Sequence, residues 1–174
     1  RQMCIRDRNW DIDSNNRVYA SFSVAQKEPT RNNYTDGNAD EYPKAEKLYD
    51  YELGYTYRNT WLSAGVNFYY MDYKDQLVLT GELNEIGEAM ARNVPDSYRT
   101  GVELMLGVKP CRWFQWDING TLSKNRVKNF TEKLYEDEWK NPIEVEHGNT
   151  PIAFSPDFIL NNRFSFSHKG FEAA

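Results

Sequence analysis

The chain has 174 residues, with 12 Tyr, 9 Phe and 5 Trp among them, a formal net charge of -5 at pH 7 and a negative mean hydropathy. A chain so aromatic and yet hydrophilic on average must interleave apolar with polar residues, as half-exposed strands do. No window approaches the run of about 20 apolar residues that a membrane-crossing helix needs, although a transmembrane barrel escapes that test because only alternate residues face lipid; the acidic balance, with no Lys/Arg stripe, argues against nucleic acid as a partner.

Arg1 to Arg8 (RQMCIRDR) contains Met-Cys-Ile-Arg-Asp-Arg, which resembles the read-through translation of a transposon end used in sequencing-library preparation. On that reading residues 1–8 are a non-native scar and say nothing of the fold; the other reading is a natural polar turn. The segment has no apolar h-region and is no secretory signal peptide, which says nothing of where the parent protein lives. Cys4 and Cys111 have no Cys or His neighbour at metal-ligand spacing, so neither a zinc site nor a disulfide framework is read.

Alternation begins at Arg17, with Val18, Ala20, Phe22 and Val24 on one face and Tyr19, Ser21 and Ser23 on the other. Residues 26–43, with two prolines, a Gly and several Asn and Asp, form a loop by composition. The second strand runs from about Ala45 to Arg58 and sets Tyr49, Tyr51, Leu53, Tyr55 and Tyr57 against Asp50, Glu52, Gly54, Thr56 and Arg58. Asn59-Thr60 then makes a tight hairpin connection. The third strand places Leu62, Ala64, Val66, Phe68 and Tyr70 opposite Ser63, Gly65, Asn67, Tyr69 and Met71, and continues as far as Leu79. A second loop is expected at 81–96, with a helical turn over Glu85–Ala91.

The fourth strand, Tyr98 to Val108, has Thr100, Val102, Leu104, Leu106 and Val108 against Gly101, Glu103, Met105 and Gly107. Lys109-Pro110 is expected to open a short turn, since Pro cannot donate a ladder bond. The fifth strand, about Trp113 to Val127, sets Phe114, Trp116, Ile118, Gly120 and Leu122 against Gln115, Asp117, Asn119, Thr121 and Ser123. A third, charge-rich loop covers 128–156, and the sixth strand, Asp157 to Ser167, carries Leu160, Phe164 and Phe166 opposite Ile159, Asn161, Arg163 and Ser165. His168-Lys169-Gly170 reads as a further short turn, and Phe171 as the start of another strand.

Connections therefore alternate between long and short, as in an outer-membrane barrel, where every second connection is a tight periplasmic turn. A soluble sandwich gives no reason for such regularity. Tyr55, Tyr57, Trp61, Trp113, Phe114 and Trp116 fall beside the short turns, where an interfacial girdle belongs. Aliphatic and aromatic positions then face lipid, and Asp50, Glu52, Arg58, Asn67, Glu103, Asp117, Asn119 and Arg163 face a wet interior. About six strands would close too tightly around such side chains, so the fold class is an all-β, antiparallel, up-and-down transmembrane β-barrel segment, an incomplete barrel.

Six segments carry a family resemblance in their order and spacing: Tyr19 to Asn33 (YASFSVAQKEPTRNN), Ala45 to Tyr57 (AEKLYDYELGYTY), Val66 to Val78 (VNFYYMDYKDQLV), Asn93 to Glu103 (NVPDSYRTGVE), Ile118 to Asn129 (INGTLSKNRVKN) and Ser155 to Asn162 (SPDFILNN). Together they resemble the C-terminal half of the β-barrel of TonB-dependent receptors of Bacteroidetes type, which makes residues 9–174 a partial receptor barrel domain. The resemblance implies a barrel of about 22 strands with a plugged lumen, in the bacterial outer membrane, importing a scarce bulky nutrient such as a ferric siderophore, cobalamin or a glycan. It implies as partners the outer-membrane lipid, a plug domain of the same parent chain, the TonB complex through a missing N-terminal part, and an imported ligand; it implies no cofactor.

Nothing catalytic or metal-binding is read. His147 and His168 are expected in a loop and a turn, both solvated, and the pairs Asp40/Glu41 and Glu136/Asp137 lack calcium-ligand spacing. The candidate ligand contacts are Arg31, Asn32, Asn33 and Tyr34 in the first long loop, good donors to an oxygen-rich ligand. The alternative is that Arg31 and Glu28 pair with lumen or plug charges and hold the loop in place. Inward Glu52, Arg58, Glu103 and Arg163 are candidate plug contacts, or pair across strands. Two rival classes stand beside the receptor: another outer-membrane barrel, such as a porin or passive channel, and a soluble all-β carbohydrate-binding module. The last requires Leu62, Val66, Phe68, Leu104 and Leu106 to be buried in a core.

Overall fold

The structure, a computed structural model, describes residues 2–35, 42–83, 89–134, 143–168 and 171–173. Its strands are β1 (Gln2–Asp11), β2 (Asn16–Lys27), β3 (Glu46–Arg58), β4 (Leu62–Leu83), β5 (Ala89–Cys111), β6 (Phe114–Val127), β7 (Phe130–Leu134), β8 (Ile143–His147), β9 (Thr150–Pro151), β10 (Phe158–His168) and β11 (Phe171–Ala173), with one short helix, α1 (Arg31–Thr35). The main sheet runs β1-β2-β3-β4-β5-β6-β10-β11, every pair antiparallel, so each strand lies beside its chain neighbour except where β7, β8 and β9 intervene. β7 and β8 form a separate ribbon, and β9 adds two pairs to the end of β6.

The register lines up the period-2 pattern of every strand. One row across the sheet reads Val18, Tyr55, Val66, Leu104, Gly120, Leu160, and the next reads Ala20, Leu53, Phe68, Val102, Leu122, Phe158. Between them lies a row of the other face: Tyr19, Gly54, Asn67, Glu103, Thr121, Ile159. Because side chains alternate strictly, a slip of one residue anywhere would mix the faces.

The apolar face is left uncovered: Phe68 is 51 % exposed, Leu104 53 % and Leu122 57 %. Among the described residues the buried hydrophobics are Met90, Val94, Val127 and Ile152, all at the long-loop end. A soluble module needs Phe68 and Leu104 in a core, and this sheet supplies none. Aromatic pairs mark the band's two margins. Phe22, Tyr51, Tyr70 and Tyr98 follow one another at centroid spacings of 4.9, 6.5 and 6.3 Å toward the long loops. Trp113, Phe114, Trp116, Phe164 and Phe166 cluster toward the short turns. From Val108 to Tyr98 the chain rises about ten residues, which at ~3.3 Å each and a tilt of ~40° spans about 25 Å, the height of a lipid-facing barrel band.

Several elements depart from the sequence reading. The turn expected at Lys109-Pro110 is instead part of β5: the register shifts between Val108 and Cys111, and the connection is Arg112-Trp113. Pro110 sits in that bulge, where no ladder bond is required of it. The loop expected at 81–96 is largely strand, with β4 reaching Leu83 and β5 starting at Ala89; Ala89–Ala91 is strand rather than helical turn, and 84–88 lie outside the described residues. The loop at 128–156 contains the β7–β8 ribbon and β9, and the loop at 26–43 contains α1. His168 closes β10 against Phe171 rather than sitting in a turn.

Two irregularities turn the long-loop end inward. Asp75 has φ 51°, and the pairing passes from Lys74↔Asp96 to Gln76↔Val94 around it and Pro95. Beyond this break Gln76 reaches Ser97, and Val94 joins Val127 and Ile152, with Val78 and Phe130 packed against them. The polar face thereby gains a small dry cluster just above its ionisable residues.

Gln2–Asp11 also pairs with β2, a strand that the sequence reading leaves out. Trp10 keeps the apolar phase opposite Val18, but Arg6 and Arg8 stand opposite Phe22 and Ala20 on that same apolar face. The pattern of the sheet holds from about residue 9 and fails before it.

Candidate functional site

At mid-height on the polar face, β3 supplies Asp50 and Glu52, β4 supplies Asn67 and Tyr69, and β5 supplies Glu103. Two tyrosines lie flat there because the facing residue is glycine. The ring of Tyr19 occupies the place where a Cβ on Gly54 would be, and Tyr69 does the same over Gly101. Such an aromatic-on-glycine pair fills the surface that the missing side chain leaves. Asn67, only 6 % exposed, donates through Nδ2 to Glu103 Oε2 at 3.4 Å, while its Oδ1 and Asp50 Oδ1 have no hydrogen-bond partner. Among the described residues no cationic nitrogen lies within 4.0 Å of Asp50, Glu52 or Glu103. Three carboxylates and an orphaned amide oxygen thus share one patch without a counter-charge, an arrangement that folding alone does not favour.

Toward the short turns the charges are satisfied locally. Arg163 donates to Asp117 Oδ2 from Nη2 at 2.9 Å and from Nε at 3.3 Å, and the Gln115 amide donates to both Asp117 oxygens at 2.9 and 3.0 Å. Arg163 and Asp117 face each other in register, so the pairing is cross-strand. Arg58 ends β3 at this margin with an exposed side chain.

Of the loop candidates, Arg31, Asn32, Asn33 and Tyr34 all lie on α1; Arg31 and Asn32 are exposed, and Tyr34 is 50 % exposed. Asn33 shapes the start of this helix, because its Oδ1 accepts from the N–H and hydroxyl of Thr30, at 2.8 and 2.6 Å, in the manner of a capping box. Sequence reading missed Asn93, which joins the loop to the sheet. Its Oδ1 accepts from Lys44 N at 2.7 Å, and its Nδ2 donates to Lys44 O at 3.0 Å and Asp75 O at 2.6 Å. It also missed Arg99, whose guanidinium lies over the Tyr73 ring, 5.8 Å from the centroid. His147, expected to be solvated, is half-buried and stacks on Phe130 at 6.3 Å. Asp40, Glu41, Glu136 and Asp137 lie outside the described residues.

Comparison with known proteins agrees with this geometry. A family profile described as TonB dependent receptor-like, beta-barrel, matches residues 9–172. The pesticin receptor of Yersinia enterocolitica is 27 % identical over 143 residues, which are 82 % of this chain and 19 % of that protein. The chain thus spans about a fifth of the length of the curated relatives it matches. Among solved structures, the ferric yersiniabactin uptake receptor of Yersinia pestis superposes with a TM-score of 0.63 at 20 % identity, over 93 % of this chain and 22 % of that one. The ferric-catecholate import receptor of E. coli K12 superposes with a TM-score of 0.65 at 15 % identity, over 93 % and 22 %. At such identities the superpositions speak for the fold.

Proposed function

The chain belongs to the TonB dependent receptor-like β-barrel family of the bacterial outer membrane, and on that premise we propose that it forms part of the wall of a receptor importing a scarce, bulky nutrient with energy drawn through TonB. Solved receptors named for ferric yersiniabactin and ferric catecholates put ferric chelates first among the cargoes, ahead of cobalamin or a glycan. The single observation that carries the reading is the two-faced sheet. Among the described residues, nothing covers its apolar face and no cation pairs with Glu52 or Glu103 on its polar face. In a receptor the first face meets lipid and the second meets a plug folded from the same parent chain. Arg58 adds an exposed cation at the short-turn rim, and Arg163 adds a paired one. Arg31, Asn32 and Tyr34 stand at the mouth as ligand donors, with Asn33 shaping the turn that presents them.

Growth under iron limitation tests the reading. Cells lacking the parent gene are expected to lose growth on a ferric siderophore that supports the wild type, and loss of TonB should have the same effect. Growth unchanged on every chelate tried, with loss on cobalamin or a glycan instead, moves the cargo to another class. A Glu52→Gln/Glu103→Gln double variant is expected to loosen the plug and admit vancomycin, and an unaltered sensitivity removes the plug contact.

Residues 1–8 we take to be foreign to the parent. The family match starts at residue 9, and Arg6 and Arg8 fall on the lipid-facing side, where a cation costs about 2–4 kcal/mol at mid-bilayer. Resequencing the genomic locus across this point is expected to give a different, apolar-alternating segment.

A further inference from the structure

Arg99 is a cation of the polar face without an ion pair among the described residues. It sits in the row Asp50, Met71, Arg99, Asn125, so Met71 separates it from the nearest carboxylate of that row. No described acceptor takes a hydrogen bond from its guanidinium, no described carboxylate lies within 4.0 Å, and its Nε is buried without a partner. The Tyr73 ring beneath it holds the guanidinium by a cation–π contact. The side chain as a whole is half-buried, but its Nε is shut off from solvent without a partner, and a buried polar atom without one calls for an explanation.

Above Arg99 opens a cleft of about 370 Å³ whose walls are Val127, Phe130, Ile152 and Phe154. That volume falls in the range of small-molecule sites, roughly 300–1,000 Å³, as does the combination of apolar walls with few polar groups. Gln76 also lines it but is already engaged, its Oε1 accepting from Ser97 Oγ at 2.5 Å. Phe154 stands at the rim, 93 % exposed and at φ 57°. A bulky side chain in the left-handed region is strained, and such strain collects at ligand clamps.

We propose that Arg99 and this cleft bind an oxyanion, a carboxylate or phenolate, carried on an aromatic or aliphatic body. The guanidinium fork suits such an oxygen pair, Phe130 and Phe154 flank the body, and the Val94, Val127 and Ile152 cluster keeps the floor dry. The site deepens the receptor reading and rests on it, because it lies on the polar face at the long-loop end, where cargo enters.

The test uses the full-length receptor in detergent, titrated with 2-naphthoate and with uncharged 2-naphthylmethanol under ligand-observed NMR. Saturable binding of the acid, at least tenfold tighter than the alcohol, is expected. Arg99→Gln should weaken the acid tenfold or more and leave the alcohol unchanged, with Arg99→Lys recovering part of the loss. Phe154→Ala, at a position 93 % exposed, should weaken both probes several-fold. Equal affinity for the two probes, or acid binding indifferent to Arg99→Gln, overturns the site. Absence of any acid binding in the wild type also overturns it and assigns Arg99 to a carboxylate of the parent chain. Growth on a ferric chelate without naphthoate binding sinks this site alone, since the growth assay reads the receptor function independently.

Discussion

Leu104 and Met105 are chain neighbours on opposite faces of the same strand, and an arginine at each separates the two solvents of the sheet. Leu104 lies between Val66 and Gly120 on the apolar face. The row of Val108 is about four residues away along the strand and the row of Tyr98 about six, which at ~3.3 Å per residue and ~40° of tilt places Leu104 roughly 10 Å from one aromatic margin and 15 Å from the other. It is therefore close to mid-bilayer, where an arginine costs about 2–4 kcal/mol. At about 1.4 kcal/mol per tenfold, the folding equilibrium of Leu104→Arg should fall by a factor of roughly 30 to 700. Met105 lies on the polar face beside Gly65 and is itself 42 % exposed, so Met105→Arg should cost less than about 0.5 kcal/mol, as surface changes usually do. The assay is reversible urea unfolding of the full-length receptor in lipid vesicles, followed by tryptophan fluorescence. A cost above about 2 kcal/mol for Met105→Arg, with a negligible one for Leu104→Arg, would refute the assignment of faces, and with it the membrane reading of the whole sheet.

Three other outcomes follow from local geometry. A Cβ on Gly101 would stand 2.5 Å from the Leu122 carbonyl oxygen, which is backbone, and 2.6 Å from Tyr69 Oη; Gly101→Ala should destabilise by about 1–3 kcal/mol in the same unfolding assay. Gly120→Ala, whose Cβ meets nothing nearer than Leu160 Cδ1 at 3.7 Å, should be close to neutral, and equal costs at the two sites remove the case for close approach. Asn93→Leu deletes three hydrogen bonds to Lys44 and Asp75, at roughly 1 kcal/mol each; exchange of the Lys44 amide should quicken by a factor of about 30 or more, and an unchanged rate dismisses the clamp. Asp13 accepts from the N–H groups of Asn15 and Asn16, at 2.7 and 2.9 Å, and from the Asn16 amide, and the Asn15 N–H holds its carboxyl below the ordinary value of 3.8. Because the folded value is depressed, the β1–β2 turn should be stabilised above that pH and loosen as pH falls through the lower folded one. The Asn15 amide shift in NMR checks this, with Asp13→Asn expected to abolish the transition.

The strands were legible because a two-solvent sheet writes its faces into every second residue. Tyr49 to Arg58 and Trp113 to Ser123 could be assigned face by face, since no interior of the protein competes with the pattern. Legibility failed where the chain leaves the bilayer. Asn93-Val94-Pro95 is polar and proline-bearing, so it reads as loop; yet Val94 pairs with Gln76, and Asn93 ties down a segment that begins 49 residues earlier. Pro110 failed for a related reason, since a bulge and a turn tolerate a missing N–H equally well. Glu52 and Glu103 were legible as polar-face residues from their phase alone. Arg99 has that phase too, but its importance rests on the cleft built by β6, β7 and residues 150–154, which no local pattern announces.

The ionisable residues of the polar face sort by height, and the sorting bears on how such a wall works. Near the short turns Arg163, Asp117 and Gln115 satisfy one another, so that zone is complete as it stands. At mid-height the carboxylates are left without cations, and above them Arg99 is left without an anion, among the described residues. The two unsatisfied zones have opposite sign and meet in one row, where Met71 keeps Asp50 and Arg99 from pairing across β4. A wall built only for stability would exchange Met71 for a polar bridge or bring the opposite charges together, since both side chains are half-buried and gain from a partner. Holding them apart leaves one surface that attracts cations and another that attracts anions on the same face of the sheet. Under the two proposals made above, the polar face would supply half of two separate contacts, an acidic one for a plug and a basic one for cargo. On that view Met71→Gln should couple the two zones, and it should weaken 2-naphthoate binding at Arg99 without altering the fold of the sheet. Retention of full acid affinity in Met71→Gln, with Arg99→Gln still abolishing it, would show that the separation has no role.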